Sequence, residues 1–247
     1  MNNTNNVIVV SNSPVVLDKE LGEKIDSFDT VVRINDFEID GYEKHVGTKT
    51  DIWASYSAQK GTESHPIYRI RKWLDYHYGK FEPFKEIWTV REDKGDSLFL
   101  DNKDQLPGFS NSDTTYRYMH KKKREDGKLV FVSDFIKECC DKVGSRGIGT
   151  GFFTILTAVE KFGNITLYGN SFFQDEQSKE SRKKEGKNYL GKHYFTMDIE
   201  KYKDTDRYGY FKDQIKRERM GLKKQLPLRE KAVIDELIAE GKITILE

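Results

Sequence analysis

Between residues 7 and 53 the chain reads VIVVSNSPVVLDKELGEKIDSFDTVVRINDFEIDGYEKHVGTKTDIW, a segment that leaves few folds open. Four apolar residues, Val7–Val10, run directly into the polar turn Ser11, Asn12 and Ser13. Unbroken β-branched runs of this kind suit strands covered on both faces, as in a parallel sheet. An amphipathic stretch over residues 17–25 follows, and then a second apolar run, residues 30–34, which stops at Asn35 and Asp36. Strand, helix, strand, with polar groups gathered after each strand, is a βαβ unit. Open α/β sheets bind ligands outside the carboxyl ends of their strands, so these two turns are candidate ligand contacts. The amides and hydroxyls of Ser11, Asn12 and Ser13 suit an anion such as phosphate. The turn has neither a G-x-G-x-x-G pattern nor a Walker lysine, which excludes the ordinary dinucleotide and P-loop forms.

A second unit of the same kind lies further on. Gly149, Thr150 and Gly151 open an apolar helix over residues 152–162, followed by a strand at residues 165–168 and a second polar turn, Gly169, Asn170, Ser171 and Phe172. A hydroxyl and a glycine at a helix amino terminus let backbone donors approach an anion closely. Thr150 also reads as the N-cap of that helix, and both roles are compatible. Between the units the pattern predicts a helix over 67–78, a strand over 86–90, a long excursion over 91–118, a buried strand over 129–133, and a helix over 134–143 capped by Ser133. Residues 178–188 hold no apolar side chain and read either as a mobile cover or as plain surface. The remainder predicts a charged helical region over 198–223, a helix over 227–240 with Pro227 in its first turn, and a closing strand over 243–246.

At 247 residues the chain is most economically one α/β domain, residues 1–247, with a mostly parallel central sheet flanked by helices. Only 36% of residues are hydrophobic, but 13% are aromatic, so burial leans on rings. Lys and Arg number 42 against 41 Asp and Glu, a formal net charge of +1, which gives no global basic field of the kind nucleic-acid binders show. Basic runs at 120–124, 182–184 and 216–219 read as solvated loop or helix faces. No run of about 20 apolar residues and no signal peptide is apparent, so a cytoplasmic protein without a membrane span is expected. The two cysteines, Cys139 and Cys140, are adjacent; a disulfide between them is geometrically disfavoured, no zinc site follows, and a reducing compartment fits.

Four separated matches in the right order carry a resemblance: Ser11 to Ser13, Ile25 to Asp29, Val32 to Asp36, and Val46 to Thr50. Together they resemble the large motif of family 29 glycosyltransferases, the sialyltransferases. The Gly149 to Tyr168 unit resembles that family's small motif, and His193-Tyr194-Phe195 its histidine and aromatic third motif. Tyr189-Leu190-Gly191 adds a weaker resemblance to the bacterial family 42 sialyltransferases. The resemblance implies a Rossmann-like sialyltransferase fold, a variant of the GT-A type. It also implies an enzyme that transfers sialic acid, or a relative such as Kdo, from a cytidine monophosphate (CMP) sugar to a glycan hydroxyl, with no metal and no cofactor. On it, Asn12 and Asn35 contact the donor phosphate or ribose with Ser11, Ser13 and Asp36 beside them, while Thr150, Gly151 and residues 169–172 line the cytidine end. The animal family joins its two main motifs by a disulfide; the matching positions are Val7 and Phe162, so that link is absent here.

The family's last motif, histidine, four residues, glutamate, is broken. Gln225 stands in the histidine's place and Glu230 in the glutamate's. Glutamine is no general base near neutral pH. Either His193, with Tyr194 and Glu230 in support, takes the acceptor proton, or the chain uses a different donor or a non-glycan acceptor such as modified nucleic acid, or it binds nucleotide with catalysis impaired. His45 is expected at the surface.

Overall fold

The computed structural model describes residues 6–56, 84–92, 115–125, 128–131, 133–144, 148–171 and 225–247, together with residues 194, 203 and 208. Its strands are β1 (Val7–Val10), β2 (Thr30–Ile34), β3 (Ile52–Tyr56), β4 (Glu86–Glu92), β5 (Thr115–Glu125), β6 (Lys128–Val130), β7 (Ile165–Tyr168) and β8 (Ile243–Ile245). They form one sheet in the order β6-β5-β4-β3-β2-β1-β7-β8. Every neighbouring pair is parallel except β5 and β6, an antiparallel edge. The helices are α1 (Gly22–Asp26), α2 (Glu43–Val46), α3 (Asp134–Val143), α4 (Thr150–Phe162) and α5 (Gln225–Ala239), with a 3-10 turn at Pro14–Asp18.

Strand geometry explains why β1 is apolar at every position. Successive side chains point to opposite faces, and Val7 and Val9 enter one buried cluster with residues of α3, α4 and α5. Ile8 and Val10 enter a second cluster with Val16, Ile25 and Val46, from the 3-10 turn, α1 and α2. The sheet is therefore covered on both sides, as the α/β expectation requires. Val7 and Phe162, the positions where the resemblance places a disulfide, both belong to one apolar cluster here, Phe162 as a partly buried member.

Buried polar side chains join the separated motif pieces. Arg33, within β2 and fully buried, donates from Nη2 to Val46 O at 2.7 Å and from Nε to Thr50 Oγ1 at 2.9 Å, with Lys49 O at 3.0 and 3.1 Å. Burial pulls its pKa down to about 10. Asp26, at the end of α1, accepts from the backbone N–H of Thr48 and Lys49 and from the Thr48 hydroxyl. A Cβ on Gly47, at φ +71°, would lie 2.4 Å from Asp26 Oδ1, so only glycine fits that approach.

Several expectations are corrected. The stretch at 17–25 is two pieces, because α1 packs so closely on α2 that a Cβ on Gly22 would lie 2.0 Å from Glu43 O. The excursion assigned to 91–118 holds strand at both ends: β4 runs on to Glu92 and β5 begins at Thr115. The basic residues 120–124 therefore lie in β5, paired to β4 from His120 to Lys122 and to β6 from Lys123. The buried strand expected at 129–133 is the short edge strand β6. Central strand β3 runs through Trp53 to Tyr56. The α3 expectation holds in full, with Ser133 Oγ accepting from Ile136 N at 3.1 Å. The expectations at 67–78, 178–188 and 182–184, the run at 216–219, and most of 198–223 fall outside the described residues.

Candidate nucleotide-sugar site

Chain direction creates the site. Strands β2 to β6 are laid down to one side of β1, and the chain then returns to place β7 and β8 on the other side. The order reverses at β1 and β7, which is where a doubly wound sheet opens a crevice at its carboxyl edge. The polar turns after these two strands are bonded to each other: Ser11 N donates to Tyr168 O at 2.8 Å and Ser13 N to Gly169 O at 3.1 Å. Gly169 sits at φ +69°, and a Cβ there would lie 2.3 Å from Val16 Cγ1 and 3.0 Å from Ser11 O. Only glycine lets the two turns approach this closely.

Asn12 extends the junction to β2. Its side-chain nitrogen donates to Ile34 O at 2.7 Å and to Asp36 O at 2.8 Å. Both acceptors are carbonyls, so both amide protons are used in structure, and the amide oxygen is the atom left to address a ligand. Ser13 Oγ accepts from Val15 N at 3.4 Å and caps the 3-10 turn. The Ser11 hydroxyl is buried and finds no hydrogen-bond partner among the described residues. Asn35, half-buried, is the one non-glycine with positive φ, 51°, among the described residues. Asparagine is among the few residues that adopt this conformation readily. Two bonds hold it there: Asn35 N donates to Ala54 O at 2.7 Å, and Trp53 Nε1 donates to Asn35 O, also at 2.7 Å.

The amino terminus of α4 completes the ring. Its N-cap is Gly149, which offers no side-chain cap, and Thr150 is the first helical residue, so the N-cap expected at Thr150 moves one position earlier. The first helical bond runs from Phe153 N to Gly149 O at 3.2 Å. The N–H groups of Thr150, Gly151 and Phe152 are thus the free donors that a helix start presents, next to the positive end of its dipole. A Cβ on Gly151 would come within 3.9 Å of Ile34 Cδ1, which brings this turn beside the end of β2. Gly149 N itself donates to Glu230 Oε1 at 2.8 Å. Glu230 is buried, and burial raises its pKa against the opposing pull of that bond.

Of the expected site residues, Ser11, Asn12, Ser13, Asn35, Asp36, Thr150, Gly151 and Gly169 converge on this edge, with Asn170 and Ser171 following Gly169 and half-buried. Phe172 and His193 lie outside the described residues. Tyr194 is fully buried: its N–H donates to Asn12 O at 3.0 Å, and its hydroxyl accepts from Glu38 N at 2.9 Å while donating to Glu38 O. Burial raises its pKa above the usual tyrosine value. His45 is half-buried, with Nδ1 2.8 Å from Lys19 O. The sequence reading missed Trp53 and Gly149 as site-supporting residues. Trp53 carries no pattern of its own, and Gly149 was legible only as the opening of a helix. No group of three or more His, Cys, Asp or Glu side chains gathers among the described residues, and no helix among them is long and apolar enough to cross a membrane.

Comparison with known proteins places this geometry. The profile of glycosyltransferase family 29 (sialyltransferase) matches residues 2–207. CMP-N-acetylneuraminate-beta-1,4-galactoside alpha-2,3-sialyltransferase of Homo sapiens is 35% identical over 88 residues, which are 32% of this chain and 23% of that protein. Lactosylceramide alpha-2,3-sialyltransferase of Rattus norvegicus is 41% identical over 49 residues, 20% of this chain and 13% of that protein. These matches span less than a quarter of either relative's length. The crystal structure of a mammalian sialyltransferase in complex with Gal-beta-1-3GalNAc-ortho-nitrophenol is similar in fold, with a TM-score of 0.50 at 18% identity, covering 98% of this chain and 68% of that one. With its family profile matched over residues 2–207, the chain belongs to glycosyltransferase family 29, the sialyltransferases.

Proposed function

We propose that this protein transfers sialic acid, or a closely related sugar, from a CMP-activated donor to a glycan hydroxyl without a metal ion. The observation that supports it most is the convergence of the Ser11 to Ser13 turn, Asn35 and the free N–H groups of the α4 first turn on one strand edge. Departure of CMP loads charge onto a phosphate, and fixed amide donors stabilise such charge without reorganising. In this reading the phosphate lies over the Thr150 to Phe152 amides, the Asn12 and Asn35 side chains address the nucleotide, and His193 accepts the acceptor proton. The bond from Tyr194 N to Asn12 O ties the chain next to His193 to the donor turn.

Gln225, standing where the family motif has histidine, favours a second reading: a nucleotide-binding protein without turnover. Calorimetry with CMP, UMP and GMP, followed by donor turnover in excess chelator, separates the readings. The enzyme reading expects CMP to bind best, turnover to persist in chelator, and His193→Ala to lower turnover by about 100-fold or more, with Gln225→Ala mild. CMP binding without turnover supports the second reading; preference for UMP or GMP, or a strict need for manganese or magnesium, overturns the first.

A further inference from the structure

Helix α5 lies beyond the span matched to the family profile, residues 2–207, yet two adjacent residues of it hold the chain segment that leads into the candidate site. Arg229 Nη1 approaches Val143 O, the last residue of α3, at 3.4 Å. Glu230 Oε1 accepts from Gly149 N, the N-cap of α4, at 2.8 Å, across 81 residues of sequence. A cation therefore meets the carboxyl end of one helix, and an anion the amino end of the next, each matching the sign of the local dipole.

We infer that Glu230 is a positioning residue that caps α4 from another helix, so that the Thr150 to Phe152 amides are held toward the donor phosphate. In an ordinary capping box a glutamate inside the helix reaches back to the N-cap N–H. The third helical residue of α4 is Phe152, which cannot do so, and Gly149 supplies no side-chain oxygen. Glu230 fills that place. Its carboxylate is only 8% exposed, and both its oxygens sit 3.5 to 3.7 Å from where a Gly149 Cβ would stand. These are ordinary contact distances, so the carboxylate lies directly against the N-cap. Buried placement of an acid costs desolvation, and the bond to the helix N-cap opposes that cost.

The part concerning donor phosphate rests on the proposed function; the capping does not. The test compares Glu230→Ala, Glu230→Gln and a core control on the same helix, Val233→Ala, in the full chain. Hydrogen exchange at the Gly149 amide reads the capping directly, and CMP calorimetry reads its consequence. Glu230→Ala is expected to speed exchange at the Gly149 amide by about tenfold or more, the worth of a bond to a charged group, and to weaken CMP by a comparable factor. Glu230→Gln, whose amide oxygen still accepts, restores both. Val233→Ala lowers the melting temperature without selective change at the α4 start. Unchanged exchange in Glu230→Ala, or an equal change in Val233→Ala, overturns the capping role. Faster exchange in Glu230→Ala with CMP affinity unchanged overturns the donor-positioning role while leaving the cap. If the wild type does not bind CMP at all, the proposed donor fails, and the exchange result still decides the cap.

Discussion

The N–H of Tyr194 donates to the carbonyl oxygen of Asn12 at 3.0 Å, joining a residue late in the chain to the first turn after β1. The same tyrosine closes a second connection through its hydroxyl, which meets both the N–H and the carbonyl of Glu38. Its ring stands edge-on to Tyr42, with centroids 5.0 Å apart. Tyr194→Phe keeps the ring and removes the hydroxyl from these two buried backbone groups. The expected loss is about 1 to 3 kcal/mol of stability, measured as a lower urea midpoint at unchanged slope. A midpoint equal to wild type would show that the hydroxyl contributes nothing net.

Asn12→Asp tests the junction between β1 and β2. The substitution is nearly isosteric, but it turns the nitrogen that serves Ile34 O and Asp36 O into an oxygen that repels both. It should destabilise by at least about 2 kcal/mol and cost more than Asn12→Ala, which merely leaves the carbonyls without that donor. Chemical denaturation of the two variants decides the order, and an aspartate variant as stable as wild type would contradict the hydrogen-bond assignment.

Gly169→Ala faces two penalties at once. The left-handed backbone costs an L side chain about 1 to 2 kcal/mol, and the contacts with Val16 and Ser11 add a clash of about 1 to 3 kcal/mol. Gly163 offers the control, since its φ of +81° is similar but nothing lies within 4 Å of its would-be Cβ. Gly169→Ala should therefore lower the melting temperature well beyond Gly163→Ala and weaken CMP by shifting the Ser11 to Ser13 turn. Equal effects in the two variants would remove the close-approach argument.

The raised pKa of Glu230 gives a signed dependence on pH. Between the ordinary glutamate value of 4.5 and its own raised value, the folded state binds more protons at this group than the unfolded state does. Stability from this group is then fully present below 4.5 and is lost as pH rises through the folded value. Glu230→Gln removes the titration, so the difference in stability, wild type minus variant, should grow as pH falls from neutral toward 4.5. A difference that is flat, or that shrinks on acidification, would contradict a burial-raised carboxyl.

What the sequence made legible follows from how each element gets its stability. β1, β2 and β7 are covered on both faces, so nearly every position is apolar, and their limits at Val7–Val10, Thr30–Ile34 and Ile165–Tyr168 match the expected ones. β5 reads TYRYMHKKKRE, and its pairing depends on neighbours distant in sequence, so neither alternation nor a continuous apolar run announced it. The polar turns at Ser11 to Ser13 and at Asn35 were readable because they end apolar runs. The tasks of Arg33 and Asp26 were not, since each acts on backbone groups 13 to 23 residues further along the chain. Glu230 was visible as a motif position, but its partner, the start of α4 81 residues earlier, was not.

The site is built from both ends of the chain, and that ordering matters during synthesis. A ribosome that has made residues 1–171 has supplied β1, β2, β7 and α4, including every described residue that would touch a donor. The nascent chain at that stage lacks α5 and its carboxylate, and β7 has no β8 beside it. Pairing of β1 with β7 already joins segments more than 150 residues apart, and contacts of that separation form slowly. Competence to hold a nucleotide should therefore appear late in translation, only after residue 230 has emerged. A premature stop after residue 171 but before that codon would yield a polypeptide that keeps the strand pattern of the crevice but leaves the entrance to α4 unfastened.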